Sequence, residues 1–201
     1  MFKCHEIQRA VGDRVWEWIL LIIAVICLLV IVALFFGYYN RIITLSNRID
    51  NAWAQIDVQL KKRADLVPNL VETVKGYMAH EKNAIEMVTK ARERMMGAQT
   101  VKDKIDAGTE LAVAMKTILA LAENYPNLKA SENFKLLQEQ LDGIESKIAY
   151  ARQFYNDSVL AYNNAITTFP GRWFARRMGR TELKPYFEVT EKERAVPKVT
   201  F

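Results

Sequence analysis

Between Trp18 and Asn40 lie 23 consecutive residues without a charge, WILLIIAVICLLVIVALFFGYYN. At about 1.5 Å per helical residue they extend roughly 34 Å, enough to cross a hydrocarbon core of about 30 Å. Trp16 and Trp18 at one end and Tyr38 and Tyr39 at the other have the placement of interfacial belts. A cleaved signal peptide would have a shorter apolar run and a small-x-small cleavage site, whereas this run ends in bulky Phe35, Phe36, Tyr38 and Tyr39. Cys27 follows Ile26 in mid-run, which does not suit a lipidated cysteine. A core helix would be shorter and interrupted by polar residues. Residues 18–40 are therefore predicted to form a single transmembrane helix, preceded by a flank over 1–17.

The flanking charges nearly tie. Lys3, Arg9 and Arg14 precede the run; Arg41 and Arg48, then Lys61, Lys62 and Arg63, follow it. The balance leans towards a cytoplasmic N-terminus, with the bulk of the chain on the extracytoplasmic side. The net charge of +5 is local: residues 41–170 hold 17 basic and 16 acidic side chains, while 171–180 hold Arg172, Arg176, Arg177 and Arg180 and no acid. Such a neutral body is no nucleic-acid-binding surface, so no nucleic-acid partner is expected. Both cysteines, Cys4 and Cys27, lie before or within the apolar run, so cysteine usage does not report the compartment of the body.

From residue 41 to 170 apolar residues recur at spacings of three and four, the helical period. Leu45, Ile49, Trp53, Ile56 and Leu60 form the first stripe, and no Gly or Pro separates Tyr38 from Val67, so the spanning helix is predicted to continue into the body. The second stripe is Leu70, Val74, Tyr77 or Met78, Ile85, Val88 and Met95, with Pro68 in its first turn, Asp65 as its cap and Gly97 as its stop. Ile105, Leu111, Ala112, Met115, Leu119 and Ala122 form the third, ended by Pro126. The fourth runs Phe134, Leu137, Leu141, Ile144, Ile148, Ala151, Tyr155, Val159, Tyr162, Ile166 and Phe169, capped by Ser131 and stopped by Pro170. The expected fold is all-α: an N-terminal transmembrane helix continuing into an antiparallel, up-down four-helix bundle over 41–170.

In that topology the fourth helix returns towards the bilayer. The segment 171–180 then meets the surface with Arg172, Trp173, Phe174, Arg176 and Arg177, a composition suited to anionic headgroups. A solvated basic loop with its aromatics tucked under the bundle is the plainer alternative. Residues 181–201, with Pro185, Pro197 and the alternating end Val199-Thr200-Phe201, read as an extended tail. Val199 and Phe201 are the residues expected to touch a partner or a neighbouring subunit, although termini also fray.

No catalytic constellation is legible. His5 beside Cys4 is too small a cluster for a metal, and His80-Glu81 lacks the second histidine of a metalloprotease helix. No phosphate-binding glycine loop or nucleophile elbow occurs. No cofactor or metal site is expected. Arg63, Asp65, Pro68 and Asn69 form a polar cluster that suits capping at a helix junction better than a partner site.

Several uncommon words occur in order: Asn51 to Arg63 (NAWAQIDVQLKKR), Asp65 to Tyr77 (DLVPNLVETVKGY), His80-Glu81, Ala122 to Ala130 (AENYPNLKA), Tyr155-Asn156, Phe169-Pro170, Tyr186-Phe187 and the closing Pro197 to Phe201 (PKVTF). They closely resemble the LemA family over residues 18–201. The resemblance implies a bacterial protein with one N-terminal membrane helix and an antiparallel helical bundle. It also implies no enzymatic activity, cofactor or catalytic residue. Family members often accompany membrane proteases or other envelope proteins, and some similar domains are linked to membrane shaping. Residues 1–17 depart from the family pattern in length and mixed charge, which leaves orientation open. The expected function is a non-enzymatic membrane-anchored scaffold that forms homo-oligomers on the bilayer. The alternative is an adaptor for a membrane protease or other envelope protein through its C-terminal tail.

Overall fold

In the computed structural model, the structure describes the backbone of residues 2–187, with the side chains of residue 16 and of 18–187. It is all-helical, with six α-helices and no strand among the described residues: α1 (Phe2–Lys75), α2 (Lys82–Gly97), α3 (Val101–Ala122), α4 (Pro126–Ala130), α5 (Glu132–Thr167) and α6 (Gly171–Arg177). From Trp18 to Leu34 every described side chain of α1 is exposed, which excludes a soluble core helix. Among the described residues this is the one helix long and apolar enough to cross a membrane.

The chain divides into two compact units. The first holds the residues up to Asn47 together with Val159–Pro185. Its interior gathers Ile42, Tyr162, Ile166, Phe174 and Ala175, all buried. The second holds Arg48–Ser158 together with the chain from Tyr186. Its core includes Ile56, Leu60, Val67 and Leu70 of α1, Val88 of α2, Leu111 and Ile118 of α3, Leu128 of α4, and Phe134 and Ile148 of α5. Buried positions recur at three and four along the longer helices, as at Ala84, Val88, Ala91 and Met95 of α2, so each of these helices buries one stripe.

Polar contacts tie the helices of the second unit. Asp57 of α1 pairs with Lys104 of α3 at 2.7 Å. Arg63, 1% exposed, donates to the Gly108 carbonyl of α3 at 2.9 Å and pairs with Glu145 of α5 at 2.6 Å. One guanidinium thus holds three helices, using the forked geometry that lysine lacks. The helices are close there: a Cβ on Gly108 would lie 2.9 Å from Leu60 Cδ2. Arg94 of α2 pairs with Glu110 of α3, and Trp53 meets Tyr155 edge to face at 6.2 Å.

Several boundaries differ from the sequence reading. Arg63, Asp65, Pro68 and Asn69 do not form a turn; all four lie inside α1, and the turn falls at 76–81. Pro68 has no N–H to give the Ala64 carbonyl, and Arg92 Nε donates to that oxygen at 3.1 Å instead, so the helix passes through the proline. Consequently α2 starts at Lys82, far later than Pro68. It does end at Gly97 as expected. α3 begins after an unforeseen cap: Thr100 Oγ1 accepts from the Asp103 N–H at 3.1 Å and donates to its carboxylate at 2.7 Å. Pro126 opens the short α4, where its fixed φ suits a first helical position. α5 ends at Thr167, short of Phe169. The residues after α6 are non-helical as far as Phe187; the rest of the expected tail, with Val199 and Phe201, lies outside the described residues.

Candidate membrane interface

Residues 171–180, expected to meet the membrane surface as a basic aromatic segment, contain a helix packed on the far end of the apolar run. Phe174 of α6 stacks on Tyr38 with ring centroids 5.0 Å apart and an interplanar angle of 10°, and meets Phe35 edge to face at 5.9 Å. Such ring pairs add about 0.5–1.5 kcal/mol each beyond the area they bury. Gly171 lets α6 start close against the end of α5, because a Cβ there would run into the Ala165 carbonyl. After α6, the Met178 N–H returns to the Phe174 carbonyl at 3.0 Å. Gly179 takes a left-handed φ of 68°, the turn that suits a residue without Cβ. The Arg180 N–H then reaches the Ala175 carbonyl at 2.9 Å, and its guanidinium donates to Ser46 Oγ of α1 at 3.3 Å.

This placement sorts the expected surface residues. Arg172, Trp173, Arg176 and Arg177 are exposed, Trp173 at 61%. Phe174 is not at the surface: it is 6% exposed and serves as the peg against α1. The sequence reading placed Phe169 at the end of the fourth apolar stripe; it lies beyond α5 and is 91% exposed beside Pro170. A bulky aromatic just past a helix end was the available signal of that exposure. Phe36 and Tyr39 of α1 are exposed as well, so the end of the apolar run and the start of α6 both present aromatic rings.

Two asparagines of α5 hold the chain that follows α6. In the first unit Asn163 donates its amide to the Lys184 carbonyl at 3.0 Å and accepts the Lys184 N–H at 2.9 Å. In the second, Asn156 donates to the Phe187 carbonyl at 3.2 Å and accepts the Phe187 N–H at 2.8 Å. Each amide treats one extended residue as a neighbouring β-strand would. Arg152 lies over the buried Phe187 ring at 4.4 Å.

The remaining candidates belong to the second unit. Asp65, Pro68 and Asn69 are exposed on α1, and Arg63 is the buried pin described above. His80 is exposed, while Glu81 accepts the Tyr125 hydroxyl at 3.2 Å. Burial, followed by the charge and hydrogen bond of Glu81, pushes the Tyr125 phenol above its ordinary range. No group of three or more His, Cys, Asp or Glu is placed to hold a metal among the described residues.

An uncovered apolar helix, with a basic-aromatic helix pegged to its end and a helical body, defines a class of membrane-associated, all-helical proteins. The chain belongs to the LemA family, whose sequence model matches residues 52–201. Among curated proteins it is similar to magnetosome protein MamQ of Magnetospirillum gryphiswaldense, 23% identical over 94% of this chain and 78% of that protein. It is also similar to magnetosome protein MamQ 2 of Paramagnetospirillum magneticum, 23% identical over 87% of this chain and 74% of that one. Protein LemA of Metamycoplasma hominis is 19% identical over 94% of this chain and 87% of its own length.

Proposed function

We propose that this chain is a non-enzymatic scaffold of the bacterial inner membrane that spans it once, self-associates, and organises or shapes the membrane around it. The observation that carries the reading is α1. One helix contains both the uncovered apolar run and, further along its sequence, the residue that pins α3 and α5. The order of pairings supports an up-down four-helix bundle. From Asp57 to Arg63, α1 partners advance from Lys104 to Gly108 in α3; from Trp53 to Arg63, they retreat from Tyr155 to Glu145 in α5. The likeness to two magnetosome proteins supports work at a membrane. The body lies on the extracytoplasmic side in this reading.

The test is the mass of the full-length chain, gently extracted, by light scattering with the detergent subtracted. A large uniform particle is expected, and a mass near the 23.2 kDa of one chain would overturn self-association.

The second reading, an adaptor or regulator of a membrane protease or other envelope protein, draws support from the asparagine clasps, since this molecule already grips extended chain by its backbone. Deleting residues 196–201 should then abolish copurification of the partner while the helical signal stays intact. A partner that persists would remove the tail from consideration.

A further inference from the structure

At about 100° per residue, the seven residues of α6 sort cleanly into two arcs. Gly171, Phe174 and Ala175 are buried and lie together on the side that packs inward. The opposite arc reads, in angular order, Arg172, Arg176, Trp173, Arg177, and all four are exposed. This is an amphipathic helix of an unusual kind, with one apolar face turned to protein and a cationic face set around a single indole.

The charge of this neighbourhood is one-sided. Between residues 159 and 185 stand Arg172, Arg176, Arg177, Arg180 and Lys184 against one acid, Glu182. Arg41, on α1 just past the apolar run, is exposed and adds a further positive charge to this unit. Three exposed guanidiniums without acidic neighbours on the same helix are left with planar, bidentate donor edges, the chemistry that suits phosphate. Their position decides which phosphate. Phe174, on the inner face of the same helix, stacks on Tyr38 where the apolar run of α1 ends. Exposed Phe36, Tyr39, Trp173 and Phe169 belong to the same unit, and aromatic rings are the residues that settle at the headgroup level. A soluble polyanion would need the arginines alone and would gain nothing from exposed rings beside a spanning helix.

We infer that the outer face of α6 is a binding site for the phosphate headgroups of anionic lipids, with Arg172, Arg176 and Arg177 as ligands and Trp173 seated among the headgroups. The site rests on the membrane-anchored reading and is independent of self-association. It differs from a freely sliding amphipathic helix: the Phe174–Tyr38 stack fixes it beside the anchor, so it selects lipid from the shell around α1. A basic residue at such a surface contributes up to roughly fivefold in affinity for anionic lipid.

The test uses the full-length chain reconstituted in phosphatidylcholine, with spin-labelled phosphatidylglycerol or spin-labelled phosphatidylcholine as probe. The ratio of their association constants for the boundary shell measures the preference. The wild-type chain should prefer phosphatidylglycerol, and salt should erode the preference. R172Q/R176Q/R177Q should lower it by about twofold or more, averaged over all boundary positions. R172K/R176K/R177K keeps the charge without the bidentate edge and should fall between the wild type and the glutamine variant, which separates lost charge from lost fold, and K61Q/K62Q in the body should leave the preference unchanged. An unaltered preference in the glutamine variant, or an equal fall in K61Q/K62Q, would overturn the site while leaving the anchor in place. A chain that alkaline carbonate strips from the bilayer would overturn the anchored reading, and the site with it. Loss of polyglutamate binding in the glutamine variant, with no lipid preference in the wild type, would reassign the face to an acidic protein.

Discussion

At Pro68 a missing N–H leaves the Ala64 carbonyl without its helical donor, and Arg92 supplies one from another helix. R92M keeps the aliphatic stem but strands that carbonyl, a loss of about 1–3 kcal/mol. P68A restores the helical donor, so R92M should cost about half as much or less in that background. Thermal unfolding of the four proteins measures the coupling, and an equal cost in both backgrounds would refute it. Arg63 poses the converse case. R63M removes a buried charge, whereas E145A takes the carboxylate from a guanidinium 1% exposed while Glu145 itself is 43% exposed. R63M also takes the donor from the buried Gly108 carbonyl, so each variant should lower stability by about 1 kcal/mol or more in thermal unfolding. Burial, and then the charge of Asp50, raises the Tyr155 phenol. The folded state holds that proton more tightly, so its contribution is complete below pH about 10 and is lost as pH climbs through the raised value. Y155F should flatten the alkaline fall in stability. Arg63 stood out in the sequence, but its role did not, because a carbonyl partner such as Gly108 leaves no side-chain signature.

The short α6 is the element that carries the inferred lipid site, and its hold on α1 depends on Phe174. F174A should cost about 3 kcal/mol in stability and speed backbone hydrogen exchange over 171–177, while exchange over α2 stays unchanged. Faster exchange in both helices would mean that Phe174 supports the whole chain. The helices of the body were legible because their apolar stripes are local signals, and the stop at Gly97 came from the same reading. The turn after α1 was misplaced because the fate of Pro68 depends on Arg92, which no local pattern reveals. The start of α3 was legible in principle: Thr100 and Asp103 form a capping pair, and the sequence reading passed over it. T100A should lower stability by about 1 kcal/mol, measured by thermal unfolding.

For the whole molecule, the anchor and the helical class were legible from 23 uncharged residues and a three-four periodicity. The division into two units was not, since it depends on which distant residues meet. Membrane attachment gives a direct expectation: the full chain stays with the pellet after carbonate extraction, and a chain lacking residues 1–40 does not. The clasps made by Asn156 and Asn163 have a consequence for mutational tolerance. An amide that bonds both the N–H and the C=O of Lys184 never reads its side chain, so that position is open to nearly any residue except proline, which has no N–H to give. Asn163 has no such freedom, because aspartate would forfeit the donor and leucine both bonds. The burden of identity thus falls on the residue that holds, and the residue that is held is left free to drift.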